Sequence, residues 1–499
     1  MNQTWDVVII GGGINGTGIA ADAASRGLSV LLIEKDDLAS KTSSSSSKLI
    51  HGGLRYLEQG HFKLVKKALK EREILLNIAP HLVKPLPLVL PQTPSLRPAI
   101  MLKLGLYLYD KLNKNNSLMK SRPVSRITNP PYFNPLALTL NKGFLYFDAT
   151  TDDARLTIGN ALKAKVQGAV IKTRHELLEA QAYQDIWRLV IKGKDKIETV
   201  YAKVVINAAG PWVQDVNQRL NIKPHYDMRY VKGSHLVVKC AYPEEHAYLL
   251  QHTDKRVVFV IPYYGYTMIG TTEVDVEGAL ETTEISADET TYLLSVFNHY
   301  FKQHLNEEDI ISSWSGVRPL IDGKQSSSTL SRDYVFHSES MPAQNVVVYG
   351  GKITTYRCLS EDVVNSLHHL FPNLPHSQTA TSALIGDLTG QVKFNDYMIE
   401  IMNKFPSIDK TLLTRYLRQY GQSIEVLLEG CQEMACLGAH FGHGLYQREI
   451  SYLQKYEWAE TAEDILWRRT KLGLCFSAGE VKALELALTQ LKHPPLSPA

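Results

Sequence analysis

The sequence predicts an α/β fold with a Rossmann-like nucleotide-binding domain, an inserted mixed or antiparallel sheet, and a C-terminal helical domain. A short apolar strand runs directly into a glycine triplet near the start of the chain. Strand-like runs with turn signals recur through the middle of the chain, and they are lacking after about Leu384. These features indicate two sheet-containing domains followed by a separate helical domain.

The glycine triplet points to a bound dinucleotide. The first strand, Trp5–Ile10, reads WDVVII, and Gly11, Gly13 and Gly16 follow it in the spacing G-x-G-x-x-G. In this motif the glycines allow a tight turn, a close approach of the pyrophosphate to the backbone, and close packing of helix on strand. Glu34 ends the second strand-like run and is placed to accept hydrogen bonds from ribose hydroxyls, which favours FAD or NAD over NADP. An ordinary glycine-rich turn is the alternative.

Hydrophobic periodicity predicts the other elements. A helix is expected at 61–79, ending at Pro80, and the prolines beyond it impose an extended course. Short apolar runs predict strands at 169–171, 186–191, 204–207, 235–239, 257–262, 266–271 and 345–349. Segments rich in Leu, Glu, Lys and Tyr predict C-terminal helices, for example at 452–460 and 465–472.

Composition excludes several classes of protein. The chain has 499 residues, which predicts two or three domains. A hydrophobic content of 44% and a charged content of 21% are ordinary for a globular protein, and a net charge of +3 argues against nucleic-acid binding. We expect neither a signal peptide nor a transmembrane helix, since no basic leader precedes an apolar segment and no apolar run is long enough.

The five cysteines are odd in number and scattered, and none forms a C-x-x-C pair. This arrangement predicts neither a zinc site nor a disulfide framework, and it fits a reducing cytosol. We therefore expect no bound metal.

One stretch, Lys84–Arg126, concentrates positive charge. It holds eight basic residues against Asp110 alone, and it includes the apolar and aromatic run 98–109. Basic, apolar and tyrosine residues together are typical of a segment that lies on an anionic membrane surface. The alternative is a core helix with a solvated basic flank.

Three further segments have the composition of cofactor contacts. The serine run Thr42–Ser47 leads into His51, Gly52 and Gly53, although a serine run is also typical of a flexible linker. The strand end at 207–212 carries small residues, as an ordinary strand-to-loop transition would. Gly350 and Gly351 precede a helix start, which could equally be capped with nothing bound.

The candidate cofactor contacts share small, hydroxyl or backbone-exposing character near strand ends. They are Gly11, Gly13, Ile14, Asn15, Gly16, Glu34, Thr42, Ser43, Ser47, His51, Gly52, Gly53, Ala209, Gly210, Trp212, Gly351, Lys352, Ile353 and Thr354.

Four cations and two histidines are candidates for substrate chemistry. Arg55, Arg318, Arg332 and Lys352 could bind an anion, since a guanidinium suits bidentate phosphate contacts. His51 and His235 could accept a hydroxyl proton near neutral pH. Taken singly, such an arginine is usually a surface ion-pair partner and such a histidine is usually structural.

These motifs resemble those of the FAD-dependent, aerobic glycerol-3-phosphate dehydrogenases, within the wider group of glycine- and D-amino-acid-oxidase-like flavoproteins. The resemblance covers about residues 5–475 and is most specific in its second block. It is carried by IIGGGINGTGIAADAASRGLSVLLIEKDDLAS, SSSSSKLIHGGLRYLE, NAAGPWV, KGSHLVV, FVIPYYGYTMIGTTE, WSGVRPL, GGKITTYR and EWAETAEDILWRRTKLGL.

The resemblance implies an enzyme that uses FAD to oxidise sn-glycerol 3-phosphate to dihydroxyacetone phosphate and passes electrons to ubiquinone or menaquinone. It implies that the substrate lies among Arg55, Tyr56, Arg318, Arg332 and Lys352. We expect the catalytic residues to be His235, Arg318, Lys352 and Arg55, with His51 as the second choice for the base.

The expected FAD-binding domain comprises 1–80, 145–225 and 312–372. The expected substrate domain comprises 81–144 and 226–311, and the helical domain comprises 385–499. We expect a peripheral location on the inner face of the cytoplasmic membrane, with attachment through 84–126. The oligomeric state stays open, and a homodimer is one alternative.

Three other functions remain compatible with the sequence. The first is a glycerophosphate oxidase that reduces oxygen. The second is an amine or amino-acid oxidase of the same fold, which would need a carboxylate ligand in place of several phosphate-directed cations. The third is a flavoprotein without enzymatic activity that binds tRNA or a membrane.

Overall fold

The computed structural model describes residues 3–93, 96–113, 115–254, 256–276, 278–281, 283–322 and 333–492. Arg332, a candidate anion ligand, and Lys114, one of the basic residues of the stretch 84–126, lie outside these residues. The described part of the chain folds into two large sheets and a group of C-terminal helices.

The first sheet is mainly parallel, with the order β17-β18-β10-β1-β2-β7, and β9 and β8 extend it from one end of β10. Its strands are β1 (Thr4–Ile10), β2 (Val30–Glu34), β7 (Val170–Thr173), β8 (Glu176–Tyr183), β9 (Ile186–Lys192), β10 (Ile197–Asn207), β17 (Val335–Glu339) and β18 (Asn345–Tyr349). β1 lies between β10 and β2 and is parallel to both.

The second sheet is mixed and mostly antiparallel, with the order β15-β11-β14-β13-β12-β4-β6-β3 and with β16 beside β11 and β5 beside β6. Its strands are β3 (Leu49–Ile50), β4 (Lys84–Pro91), β5 (Arg122–Ser125), β6 (Lys142–Thr150), β11 (Met228–Val238), β12 (Ala247–Gln251), β13 (Val257–Tyr263), β14 (Tyr266–Gly270), β15 (Val274–Asp275) and β16 (Ile310–Ile321). The seven strands predicted from periodicity all fall within observed strands to within one residue, and β18 matches its prediction at both ends.

The helices cover the sheets and form the C-terminal part. They are α1 (Ile14–Ser25), α2 (Arg55–Glu58), α3 (Phe62–Ile78), α4 (Ala99–Leu112), α5 (Asp153–Val166), α6 (Val213–Arg219), α7 (Ala287–Tyr300), α8 (Tyr356–Asn365), α9 (Gln391–Lys404), α10 (Lys410–Tyr420), α11 (Ile424–Leu427), α12 (Gln447–Glu457) and α13 (Ala478–Lys492). The helix predicted at 61–79 is α3, so that prediction is confirmed. No helix in the described ranges is long and apolar enough to cross a membrane.

Burial explains the strand sequences. Val7, Val8, Ile9 and Ile10 are consecutive and buried, as expected for a central parallel strand that is covered on both faces. α1 packs against α5 and α8 on one face of this sheet. A second core containing Trp187 fills the other face, beneath β8, β9 and α6.

The domain boundaries stay a proposal. The expected boundary at 144/145 falls inside β6, and the one at 311/312 falls inside β16. Both strands pair within the second sheet over most of their length. The chain therefore crosses between the two sheets at strand ends rather than at those positions.

We expected no disulfide framework, and this expectation was wrong for one pair of cysteines. Cys431 and Cys436 form a disulfide, with their Cα atoms 5.6 Å apart. The two residues are five positions apart in the sequence, and Cys436 lies in a short 3₁₀ helix, Met434–Leu437, between α11 and α12. No C-x-x-C spacing predicts this pair. Cys240, Cys358 and Cys475 are free thiols.

A buried ion pair fixes the C-terminal helices to the first sheet. Arg155 on α5 donates from Nη2 to Glu457 Oε1 at 2.9 Å, and from Nε to the carbonyl oxygen of Gln419 at 3.0 Å. The Arg155 side chain is 1% exposed and that of Glu457 is fully buried. Each of these buried charges is stabilised by its partner, because neither keeps a hydration shell.

Replacing Arg155 by methionine should therefore destabilise the protein by about 3–5 kcal/mol, since Glu457 would keep a buried charge without its partner. The matched control is Arg188→Met, which removes an exposed pair with Glu179 at 3.6 Å and should cost less than about 1 kcal/mol. Urea unfolding followed by circular dichroism measures both changes, and equal losses would contradict this account of the C-terminal contact.

Candidate functional site

A cavity of about 420 Å³ lies where the carboxyl ends of the parallel strands meet the second sheet. The residues that directly follow β1, β2, β10 and β18 all contribute to its wall. Ligands of open parallel sheets bind at this edge, because the loops that leave the strands diverge there. The cavity is therefore the candidate site.

Glycine is required where the first loop passes β10. Gly11 has φ +114°, and a Cβ atom there would stand 2.6 Å from the carbonyl oxygen of Ala208. At Gly16 a Cβ atom would overlap the carbonyl oxygen of Gly11. The turn and the start of α1 can approach β10 this closely only without side chains at these positions.

The start of α1 faces the cavity. Gly13 caps the helix without a side-chain bond, and the N–H of Ile14 donates to Ser43 Oγ at 2.9 Å. The N–H groups of the first turn have no partner within the helix, and the helix dipole adds positive potential. This end of the cavity suits a pyrophosphate.

Glu34 is fixed by backbone donors at the end of β2. Its Oε2 accepts from Gly12 N at 2.6 Å and its Oε1 accepts from Asp36 N at 2.8 Å. Burial raises the pKa of the carboxyl, while these two N–H groups act in the opposite direction. Each carboxylate oxygen keeps further acceptor capacity, which suits ribose hydroxyls.

The loop after Glu34 is held by the C-terminal helices. Asp37 accepts from Arg468 Nε at 2.7 Å and from Arg469 Nη2 at 2.9 Å, and all three side chains are buried. Both arginines belong to a π-helix, Asp464–Arg469. Nothing in the sequence signals this contact, because more than 400 residues separate the partners.

The opposite end of the cavity carries side chains that can bind an anion or accept a proton. Lys352 Nζ stands 4.1 Å from the centre of the Tyr56 ring. The backbone N–H of His51 donates to Thr354 Oγ1 at 3.4 Å, which joins the two predicted cofactor segments. Asn15 donates from Nδ2 to the Gly350 carbonyl at 3.1 Å, and its Oδ1 is buried and accepts no hydrogen bond from the described residues.

Most predicted cofactor contacts line the cavity. They are Gly11, Gly13, Ile14, Asn15, Glu34, Thr42, Ser43, Ser47, His51, Ala209, Gly210, Trp212, Gly351, Lys352, Ile353 and Thr354. Gly16, Gly52 and Gly53 stand behind the wall. Gly52 packs on Leu69 and Tyr109, and its N–H donates to Tyr109 Oη at 2.8 Å.

Some of the predicted substrate residues line the cavity and others do not. Tyr56, Arg318 and Lys352 line the cavity. Arg318 donates from Nη2 to Thr271 Oγ1 at 3.1 Å. Arg55 does not line the cavity, and its Nη1 lies 3.9 Å from Glu273 Oε2, two residues beyond the partner of Arg318. Arg332 cannot be placed, since it lies outside the described residues.

His235 lies one side chain behind the cavity wall. It is 1% exposed, stacks on Trp314 with ring centres 5.4 Å apart, and places Nε2 2.9 Å from Ser47 Oγ. Burial, followed by the positive charges of Arg318 and Lys48, holds the pKa of the His235 imidazole well below its usual value. The histidine is therefore neutral at physiological pH, and Ser47 stands between it and the cavity.

Sequence reasoning missed the anchor of the serine loop. Asp153 at the start of α5 accepts from Lys48 Nζ at 2.7 Å and from Ser46 Oγ at 2.7 Å. Lys35 also escaped notice; it lines the cavity with its Nζ 4.6 Å from the centre of the Trp212 ring. The position of Lys35, directly after Glu34, could have identified it from the sequence. The Asp153 contact could not be identified in this way, because it joins segments that are far apart in the chain.

Comparison with known proteins identifies the family. The family described as "FAD dependent oxidoreductase" matches residues 6–357, and the one described as "C-terminal domain of alpha-glycerophosphate oxidase" matches 377–493. The chain belongs to the FAD-dependent oxidoreductases. The predicted fold class and the FAD cofactor are confirmed by these matches and by the solved relative described next.

Relatives extend over the whole chain. A Pseudomonas aeruginosa protein named glycerol-3-phosphate dehydrogenase is 46% identical and covers 99% of this chain and 96% of its own. The D-erythritol 1-phosphate dehydrogenase of Brucella abortus is 43% identical and covers 94% of each chain. The crystal structure of a Bacillus halodurans glycerol-3-phosphate dehydrogenase complexed with FAD has a TM-score of 0.76 and 26% identity, and covers 100% of this chain and 97% of its own.

Gly11→Ala should lower FAD affinity by about ten- to a hundredfold, because overpacking of this kind costs about 1–3 kcal/mol where the Gly11 turn meets β10. The matched control is Gly27→Ala, which has a similar positive φ of +88° and no atom within 4 Å of the new Cβ. Fluorescence titration of the FAD-free protein with FAD measures both affinities. Equal losses in the two variants would mean that backbone strain, and not the contact with Ala208, causes the effect.

Proposed function

We propose that the protein oxidises the secondary alcohol of sn-glycerol 3-phosphate to the ketone of dihydroxyacetone phosphate and transfers the electrons to a membrane quinone. The observation that carries this proposal is that Arg318, Lys352 and His51 share one cavity wall with the nucleotide-binding turn. An anionic substrate with an alcohol next to its phosphate needs cations and a proton acceptor in one place. The names of the full-length relatives support the same substrate.

The substrate phosphate binds to basic side chains on the side of the cavity that the second sheet forms. Arg318 is held on β16 by its bond to Thr271, so its guanidinium is oriented before substrate arrives. Arg55 and Glu273 lie beside this bond and place a second guanidinium behind the wall. Lys352, from the loop after β18, adds a point charge above Tyr56. We assign these residues to substrate binding and to stabilising negative charge near the reacting carbon.

Bound FAD supplies the two-electron acceptor. The start of α1 would hold its pyrophosphate and Glu34 its ribose, while Ser47, His51 and Lys352 would line the space for its ring. His51 removes the proton from the substrate hydroxyl, since it lines the cavity beside Thr354, at the end that holds Lys352. His175 also lines the cavity, but its N–H donates to the Glu34 carbonyl at 2.8 Å, which places it at the opposite end. His235, our first choice from sequence, orients the Ser47 hydroxyl from behind the wall.

His51→Asn should lower kcat by about 10²- to 10⁴-fold while FAD stays bound, as expected for loss of a general base. His235→Asn should lower it by less than about tenfold, because an amide can still hydrogen-bond Ser47 and one such bond is worth about 0.5–1.5 kcal/mol. Steady-state rates and flavin content measure both effects. A larger loss in His235→Asn than in His51→Asn would return the role of base to His235.

The experiment that tests the activity compares substrates with a dye as electron acceptor. We expect kcat/KM for sn-glycerol 3-phosphate to exceed that for D-erythritol 1-phosphate by at least about tenfold, with dihydroxyacetone phosphate as product. The second substrate is a real candidate, because a relative with its name is nearly as similar to this chain. A higher value for it would replace the proposed substrate, and activity with glycine or D-amino acids alone would replace the reaction class.

The electron acceptor is tested in the same preparation. A soluble ubiquinone or menaquinone analogue should be reduced in air with little hydrogen peroxide formed. Stoichiometric peroxide would instead make the protein an oxidase.

The α4 helix supports attachment to a membrane. It buries Leu102, Leu106 and Tyr109 in the second-sheet core and exposes its opposite apolar face. That face includes Ile100, which is 80% exposed, and Leu104, which is 59% exposed. Lysines 103 and 111 and Arg122 are exposed nearby. An apolar face with basic flanks fits an anionic lipid surface, so we propose a peripheral location on the cytoplasmic face, where quinone is accessible.

Ile100→Asp combined with Leu104→Asp should weaken binding to phosphatidylglycerol-containing vesicles by at least about tenfold, since each buried apolar side chain contributes about 1.5–3 kcal/mol. Val166→Asp is the control, because Val166 is 83% exposed on α5, far from this helix in the sequence. Vesicle co-sedimentation measures binding. Unchanged binding of the double variant would exclude α4 as the attachment site.

A further inference from the structure

Two histidines and a glutamate meet outside the cavity. His337 and Glu339 lie two residues apart on β17, so their side chains leave the same face of this edge strand. His225 lies in the loop that joins α6 to β11. None of the three lines the cavity described above. The proposed activity therefore does not use them.

Their donor atoms have the spacing of a metal-binding set. Glu339 Oε1 lies 3.1 Å from His337 Nε2 and 3.4 Å from His225 Nε2. All three donor atoms lie within 4.8 Å of one another. Zinc bonds of about 2.0–2.2 Å in a tetrahedron place ligand atoms about 3.3 Å apart. The two measured distances agree with that geometry.

The surroundings favour an ion over a closed ion-pair cluster. His225 Nε2 is shielded from solvent and makes no hydrogen bond within the described residues. The side chains of His225, His337 and Glu339 are 23%, 39% and 37% exposed, so the cluster lies close to the surface. The two imidazole rings are in contact, with their centres 3.6 Å apart and their planes tilted by 31°.

We propose that His225, His337 and Glu339 bind a divalent transition-metal cation of the zinc class, with water completing the coordination. Two imidazoles and one carboxylate suit zinc, nickel or copper, whereas magnesium and calcium prefer oxygen ligands alone. The bound ion would tie the loop before β11, a strand of the second sheet, to β17 at the edge of the first sheet. It would thus restrain the two sheets relative to each other at a distance from the flavin.

The test is a titration of the full-length, tag-free holoprotein with Zn²⁺ after treatment with a chelator, using competition with a chromophoric chelator. We expect one ion per chain, and His337→Ala and Glu339→Gln should each weaken its binding by at least about tenfold, as losing one of three protein ligands should. Replacing zinc with Co²⁺ should give the visible absorption bands of a tetrahedral site in the wild-type protein and lose them in both variants.

Two controls separate this site from other surface ligands. His304→Ala removes an exposed histidine elsewhere and should leave the affinity unchanged. Combined Cys240→Ser and Cys475→Ser removes the exposed thiols and should also leave it unchanged. Wild-type protein that binds no zinc more tightly than a millimolar dissociation constant, or His337→Ala that binds as the wild type does, would overturn the proposal.

Discussion

The structure depends on the close approach of two backbones, the Gly11 turn after β1 and Ala208 after β10. A Cβ atom at Gly11 would come within 2.6 Å of the Ala208 carbonyl oxygen, so this contact requires glycine. The approach fixes the direction in which α1 leaves the sheet and opens the start of that helix toward the cavity. The position that we propose for the pyrophosphate, at the start of α1, follows from this one contact.

The other side of the site is built by the second sheet and by buried charges. Arg318 lies on β16, and Asp153 holds the end of the serine run Thr42–Ser47 against α5 through Lys48. The C-terminal helices contribute no wall residue among those described, yet Arg468 and Arg469 hold Asp37, three residues after Glu34. The C-terminal domain therefore acts on the site by fixing a loop. Buried pairs of this kind position groups more than they add net stability.

Local patterns predicted a large part of this arrangement. The glycine spacing, Glu34 and the paired glycines at 350 and 351 mark strand ends, and the ends of parallel strands must meet at one sheet edge. Hydrophobic periodicity predicted α3 and the central strands, and these elements together predicted the fold class.

What the sequence could not supply were contacts between distant segments. Nothing local distinguishes His51 on the wall from His235 behind Ser47, because both are histidines beside small residues. The Arg155–Glu457 pair and the His225, His337 and Glu339 cluster join segments that are far apart in the chain. The Cys431–Cys436 disulfide depends on the path of the connection between α11 and α12, which hydrophobic periodicity does not predict.

We propose that one cavity holds both the flavin and a phosphorylated alcohol. Anaerobic mixing of the purified protein with sn-glycerol 3-phosphate, followed by flavin absorbance, tests it most directly. We expect the yellow absorbance to bleach without any added acceptor and to return when a quinone analogue is added. A yellow protein that fails to bleach would contradict the proposed substrate, and a protein that stays colourless with added FAD would contradict the assignment of the cavity.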